Sequence, residues 1–255
     1  MGVIRVIAAN TFREAVRDRV LYLFLGFATL LLASSKLFGM LTVGDQSKIL
    51  KDMGLGGIQF FTMLIAVMMS VLLISREIDS RTAYFILAKP VRRWQFLLGK
   101  YAGLLATVLV NLALMTAMLL LFVWAYGGGF DPRLMLATGM IGVEMALLVA
   151  FATLFAVLTR PMLGSVFTLA VFVVGHVSAD LWLLTRHLPG SIGRAVVTVL
   201  YYLVPNLERF NFKTEVVHGL PIPVTAVLWA LLYGVLFTAL VLFLACLRFE
   251  RRDLK

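Results

Sequence analysis

The chain has 255 residues, 62% of them apolar and only 14% charged, with a mean hydropathy of +0.99; soluble domains run at roughly 45–50% apolar, so this composition excludes a water-soluble core. A net charge of +10 and a pI near 10.1 would suit a nucleic-acid binder, but the Lys and Arg flank apolar blocks and form no aromatic-studded basic face, which excludes that class too. The only cysteine, Cys246, excludes an intrachain disulfide and is read as a small apolar helix residue, with palmitoylation as the lesser alternative.

In chain order, 3–18 is predicted to form an amphipathic elbow helix. Ile4, Ile7, Ala8, Thr11, Phe12 and Ala15 recur at helical spacing, while Arg5, Arg13, Glu14, Arg17 and Asp18 take the rest of the wheel. Laid in the interface, its Arg side chains would sit among anionic headgroups and its apolar stripe in the acyl boundary. The alternative is a plain cytoplasmic extension of the first span. Six apolar blocks follow, each near the roughly 20 residues that cross a bilayer: 20–43, 55–75, 97–126, 133–159, 162–185 and 224–247. The first has a basic preface too long for a signal peptide and is read as a retained span. The longest connections are 44–54, 76–96 and 186–223. In the last, an apolar run over 195–204, too short to cross, is interrupted by Pro205-Asn206, which predicts a short outer-leaflet helical hairpin or else a loop resting on the surface. The expected fold is one all-α polytopic membrane domain over 1–255.

An even number of spans puts both termini on one side. Fifteen of the 23 Lys and Arg then share the side of the termini, counting Lys100 at the start of span three, and eight lie opposite. The positive-inside rule therefore places both termini in the cytoplasm.

Ionisable and amide groups inside a membrane are costly and tend to face a protein interior or a cavity. Here they are Asn111 in span three, Glu144 in span four, and His176 and Asp180 in span five. They are candidates for a polar wall of a substrate path. His176 and Asp180 are four apart on one helix face, and a local pair near the outer end is the preferred reading of those two. Lys36 is expected to snorkel to the outer interface. Met63, Met68, Met69, Met115 and Met118 have the thioether chemistry of a Cu(I) path, but packing is the preferred account. No metal site and no catalytic residue is assigned. The sequence has no H-E-x-x-H, and Gly190-Ser191-Ile192-Gly193 is not a G-x-S-x-G elbow, so an intramembrane hydrolase using Ser191 and His187 is the weakest class. Gly99-Lys100-Tyr101 falls short of a phosphate-cradling loop, since Trp94 stands where its first glycine belongs and no hydroxyl residue follows the lysine.

The segment joining spans two and three carries the most information. In 75–93, Ile78, Arg81, Thr82, Phe85 and Ile86 share one face of a short helix that Pro90 ends. Arg76-Glu77, Arg81-Thr82, Leu87, Pro90, Arg93 and Gly99-Lys100 together resemble the signature after span two of ABC-2 type permeases. The branch most similar is that of the nitrous-oxide-reductase maturation permease. Ala9-Asn10-Thr11-Phe12-Arg13-Glu14, Val204-Pro205-Asn206-Leu207 and Phe249-Glu250-Arg251-Arg252-Asp253 extend the resemblance along nearly the whole chain, although Arg81 stands where the family often has a small residue.

The resemblance implies a permease subunit, expected to be an exporter, whose ATP and Mg are bound by a separate cytoplasmic ABC ATPase, with no cofactor in this chain. It implies a second permease copy or paralogue, lipid contact, an inner-membrane location and docking on the ATPase through Glu77, Arg81, Thr82, Leu87, Pro90 and Arg93. Transmission of motion to a periplasmic partner without transport is the alternative use of the same architecture.

Overall fold

The computed structural model describes residues 2–40, 46–79, 92–125, 129, 131–187, 198 and 204–251. These form α1 (Gly2–Val16), α2 (Arg19–Met40), α3 (Gln46–Asp79), α4 (Arg93–Ala125), α5 (Arg133–Leu158), α6 (Pro161–His187), a 3-10 turn (Leu207–Phe210), α7 (Lys213–His218) and α8 (Val224–Glu250). Five stretches, Ser47–Ile74, Arg93–Ala125, Arg133–Leu158, Pro161–Ser178 and Val224–Glu250, are long and apolar enough to cross a membrane. At about 1.5 Å per residue each matches or nearly matches a hydrocarbon core of roughly 30 Å. The fold is an all-α polytopic membrane protein. A further apolar helix, α2, is 22 residues long and packs along α3.

Helices α3 and α5 form the interior. Ile58, Ile65, Met69, Met145 and Val149 are almost fully buried, as are Leu104, Met115 and Leu119 of α4. Helices α6 and α8 lie outside and expose Leu163, Val173, Trp229, Val235 and Phe243. That exposure is the normal state of a lipid-facing surface, where burial against protein gains no hydrophobic free energy over lipid. The threonines inside the spans return their hydroxyls to their own helix: Thr107 donates to the Gly103 carbonyl, Thr138 to Leu134 and Thr153 to Val149 at 2.7–3.0 Å. These threonine hydroxyls are thereby satisfied without water. Met63, Met69 and Met115 are buried, with Thr62 donating to Met115 Sδ and Thr29 to Met118 Sδ.

Two expectations need correction. Helix α3 starts at Gln46, nine residues before the predicted start of span two, so most of the expected connection 44–54 is helical. Gly54, read as a boundary, instead lets Leu119 of α4 lie against the α3 backbone. Close packing outweighs the low helix propensity of glycine here.

The second correction concerns the elbow. Its stripe is partly covered by protein: Thr11 and Ala15 are fully buried, Ile4, Ile7, Ala8 and Phe12 half-buried, and Ile7 lies on Gly99 of α4. Gly99 and Gly103, four apart, make a flat strip on which α1 sits so closely that a Cβ at Gly103 would stand 2.6 Å from the Ala8 carbonyl oxygen. Lys100, counted among the inner-side cations, is buried between these glycines with its Nζ 3.5 Å from Glu14 Oε2. Gly99-Lys100 is thus an interior turn of α4.

At the same end, Arg93 donates to the Phe249 and Glu250 carbonyls at 3.5 and 3.1 Å, capping the C-terminus of α8, and Phe96 stacks on Phe249. At the opposite end Asp131 accepts from Lys51 Nζ at 2.7 Å and from the Arg133 backbone N–H at 3.1 Å. Partial burial pushes the Asp131 pKa up, but the Lys51 and Arg133 contacts outweigh it and hold it below its ordinary value. A folded pKa below the unfolded one stabilises the fold above about pH 4 and is lost as pH falls through the lowered value. Thermal unfolding of the detergent-solubilised protein should show this. Wild type is expected to exceed Asp131→Asn by about 0.5–1 kcal/mol at pH 7, and the gap should close as the pH approaches 3.

Candidate translocation site

The sequence between α6 and α8 decides what the interior looks like. Leu207, Phe210, Val216 and Val217 are buried, so the 3-10 turn and α7 turn back into the bundle. Gly175 of α6 admits them: a Cβ there would meet Leu207 Cγ at 2.6 Å and the Pro205 carbonyl oxygen at 2.9 Å. Gly234 of α8 serves Phe210 and Val143 in the same way. Tyr233 of α8 accepts a 3.0 Å hydrogen bond from the Asn206 backbone N–H, and its ring carries the Arg209 guanidinium 4.9 Å from its centre. The segment ends at Gly219, whose φ of 69° gives the left-handed cap that closes α7. Residues 204–218, the plug, are therefore packed into the bundle. Of the predicted hairpin residues before 204 only Thr198 is described, and Ser191 and the His187 side chain fall outside the described set.

Beneath the plug lies one polar cluster. Glu144 is the eleventh residue beyond Arg133 in α5, and His176 is eleven residues from the end of α6. Both are about 16 Å from the plug end, near the middle of a bilayer-spanning bundle. Gln59 of α3 joins them. Its side-chain amide donates to Glu144 Oε2 at 2.8 Å, and its Nε2 lies 3.0 Å from His176 Nε2. Lys213 Nζ, from α7, donates to Gln59 Oε1. His176 Nδ1 lies 3.0 Å from the Phe172 carbonyl, so a proton there donates to it and leaves Nε2 as the acceptor for Gln59. Glu144 Oε1 stands 3.4 Å from His176 Nε2 and has no hydrogen-bond donor among the described residues. Glu144 is fully buried and Gln59 nearly so.

The structure brings together two of the four expected pathway residues. The ring nitrogens of His176 meet Gln59 and the Phe172 carbonyl, and the Asp180 side chain, its expected local partner, lies outside the described set. Asn111 donates to the Thr107 carbonyl of its own helix at 2.9 Å and, among the described contacts, does not join the cluster. Sequence reading missed Gln59 and Lys213. Gln59 is a lone amide in an otherwise apolar run, the same kind of signal that marked Asn111. Lys213 gave no signal, because only the fold shows that its segment enters the bundle.

The model of the ABC-2 family of transporter proteins matches residues 5–254. The chain belongs to that family. No curated protein matches the sequence. Membership makes the chain a permease subunit of an ABC transporter, a membrane transport subunit and not the ATPase, and implies an ABC ATPase as its partner. Of the candidate docking residues in this permease, Arg93 alone has a described side chain, and it holds the end of α8. Glu77, Arg81, Thr82, Leu87 and Pro90 lie outside the described side chains, although the α3 backbone continues as helix to Asp79.

Proposed function

We propose that the permease is the membrane half of an ATP-driven exporter with six spans, the sixth being α2, and with both termini on the cytoplasmic face of an inner membrane. Two copies, or this chain and a close paralogue, make one translocation unit on an ATPase pair that binds the ATP and Mg. The observation that carries this reading is the polarity of the bundle. One end has the α1–α4 platform, the capped end of α8 and the excess of basic residues. The other is closed by a re-entrant plug over a polar cluster. Substrate entering from the basic end meets Gln59, Glu144 and His176 on the way to the plug. ATP-driven closure of the partner pushes on 76–93 and α1, and α3, which joins that segment to Gln59, carries the motion to the plug. Assignment to the nitrous-oxide-reductase maturation branch, and the use of the same stroke on a periplasmic partner, belong to this proposal as its narrower and alternative forms.

The test is affinity purification of the tagged permease from native membranes in mild detergent. A Walker-motif ATPase is expected to co-purify with wild type and to be lost, by about tenfold or more, with Glu77→Lys, since like charge at a docking contact costs several kcal/mol. Absence of any ATPase under conditions that preserve other transporter complexes would count against the reading. Retention of the ATPase by Glu77→Lys would move the docking contact elsewhere.

A further inference from the structure

The polar cluster is built for a positive charge. With the Gln59 amide donating toward Glu144 and His176, everything it still presents is an acceptor: Gln59 Oε1 and the undonated Glu144 Oε1. Lys213 meets this demand, but its ammonium sits on α7, a six-residue helix in the re-entrant segment. Any movement of the plug that opens a path removes that ammonium. The buried Gln59 Oε1 would then lose the donor described for it, beside a Glu144 Oε1 that has none, which favours a replacement ammonium.

We propose that Gln59, Glu144 and His176 form a binding site for a protonated primary amine, that Lys213 occupies the site in this closed arrangement, and that substrates of the permease carry such an ammonium group. The proposal rests on reading the cluster as part of the export path and adds the substrate class to it. The Gln59 carbonyl requires an N–H donor, so a quaternary ammonium, which has none, fits poorly. The Phe172 ring, 4.5 Å from the His176 ring, gives the site one apolar wall, which suits an amine carried on an aliphatic body. Lys213 acts as a tethered competitor: substrate ammonium and plug closure exclude each other, so binding loosens the plug.

The experiment uses the full permease in detergent, without the ATPase, so that failure of the docking reading and failure of this one are separate results. Lys213→Ala vacates the site. n-Butylammonium chloride is expected to raise the thermal midpoint of Lys213→Ala saturably, with an apparent affinity at least about tenfold higher than for wild type, where the tethered ammonium competes. Tetramethylammonium chloride at equal ionic strength should have no saturable effect, and adding Glu144→Gln to Lys213→Ala should abolish the butylammonium response. Equal responses to the two amines, a response that survives Glu144→Gln, or no saturable response would each overturn the proposal. If Lys213→Ala is not recovered folded, maleimide labelling of Val217→Cys in a Cys246→Ala background replaces it. Butylammonium, and not tetramethylammonium, should speed labelling of this buried plug position several-fold. Identical rates with both would overturn the proposal.

Discussion

Gln59→Leu is expected to destabilise the permease on the order of 3 kcal/mol, seen as a large fall in the thermal midpoint in detergent. Leucine nearly matches glutamine in volume, so no cavity drives the effect. The loss is electrical. One amide serves Glu144 Oε2, His176 Nε2 and Lys213 Nζ on three different helices. Interhelical hydrogen bonds in membranes average only about 0.6 kcal/mol each. Three such bonds would cost roughly 2 kcal/mol, and the stranded lysine ammonium adds the rest. The double variant Gln59→Leu/Lys213→Met should recover part of the loss, because removing both partners leaves fewer buried groups unsatisfied. A midpoint for Gln59→Leu within a degree of wild type would remove the cluster from any structural role.

The second large effect is expected at Gly175. A leucine there overlaps Leu207 and also the Pro205 carbonyl oxygen, and a backbone atom cannot swing aside as a side chain can. Overpacking of this kind costs about 1–3 kcal/mol, and the cheapest relief is displacement of the plug. Gly175→Leu should therefore make Phe210→Cys, in a Cys246→Ala background, react with a water-soluble maleimide at least several-fold faster, since Phe210 is fully buried in the closed form. Gly139→Leu is the control, because a side chain there meets open space. Unchanged labelling with Gly175→Leu would mean that the plug is not held against α6 in solution.

Much of the architecture was legible in the residues because the bilayer imposes it. Blocks of apolar residues near 20 long can satisfy their backbone in lipid only as helices, so the helices α4, α5, α6 and α8 begin and end within a few residues of the predicted spans. Glycine misled at Gly54. It reads as a boundary when the helix is considered alone and works as a contact when α4 lies against it. The amphipathic pattern of α1 was equally legible, but its stripe does not name the surface that covers it. The glycine strip at Gly99 and Gly103, which does, lies some ninety residues away in the sequence.

The site divides along the same line. Glu144 and His176 could be picked out because a charge or an imidazole in an apolar run is expensive wherever it points. Their partners could not. Whether His176 turns to Asp180, one turn along its own helix, or to Gln59 and Glu144 on two others depends on how three helices rotate against one another. By itself the sequence determined the membrane class, the helix positions and the existence of costly polar groups, since each follows from local transfer energies. The tertiary structure alone decided that these groups meet, and that Lys213 reaches them, because contacts across 85 to 154 residues follow from helix packing and leave no periodic trace in the chain.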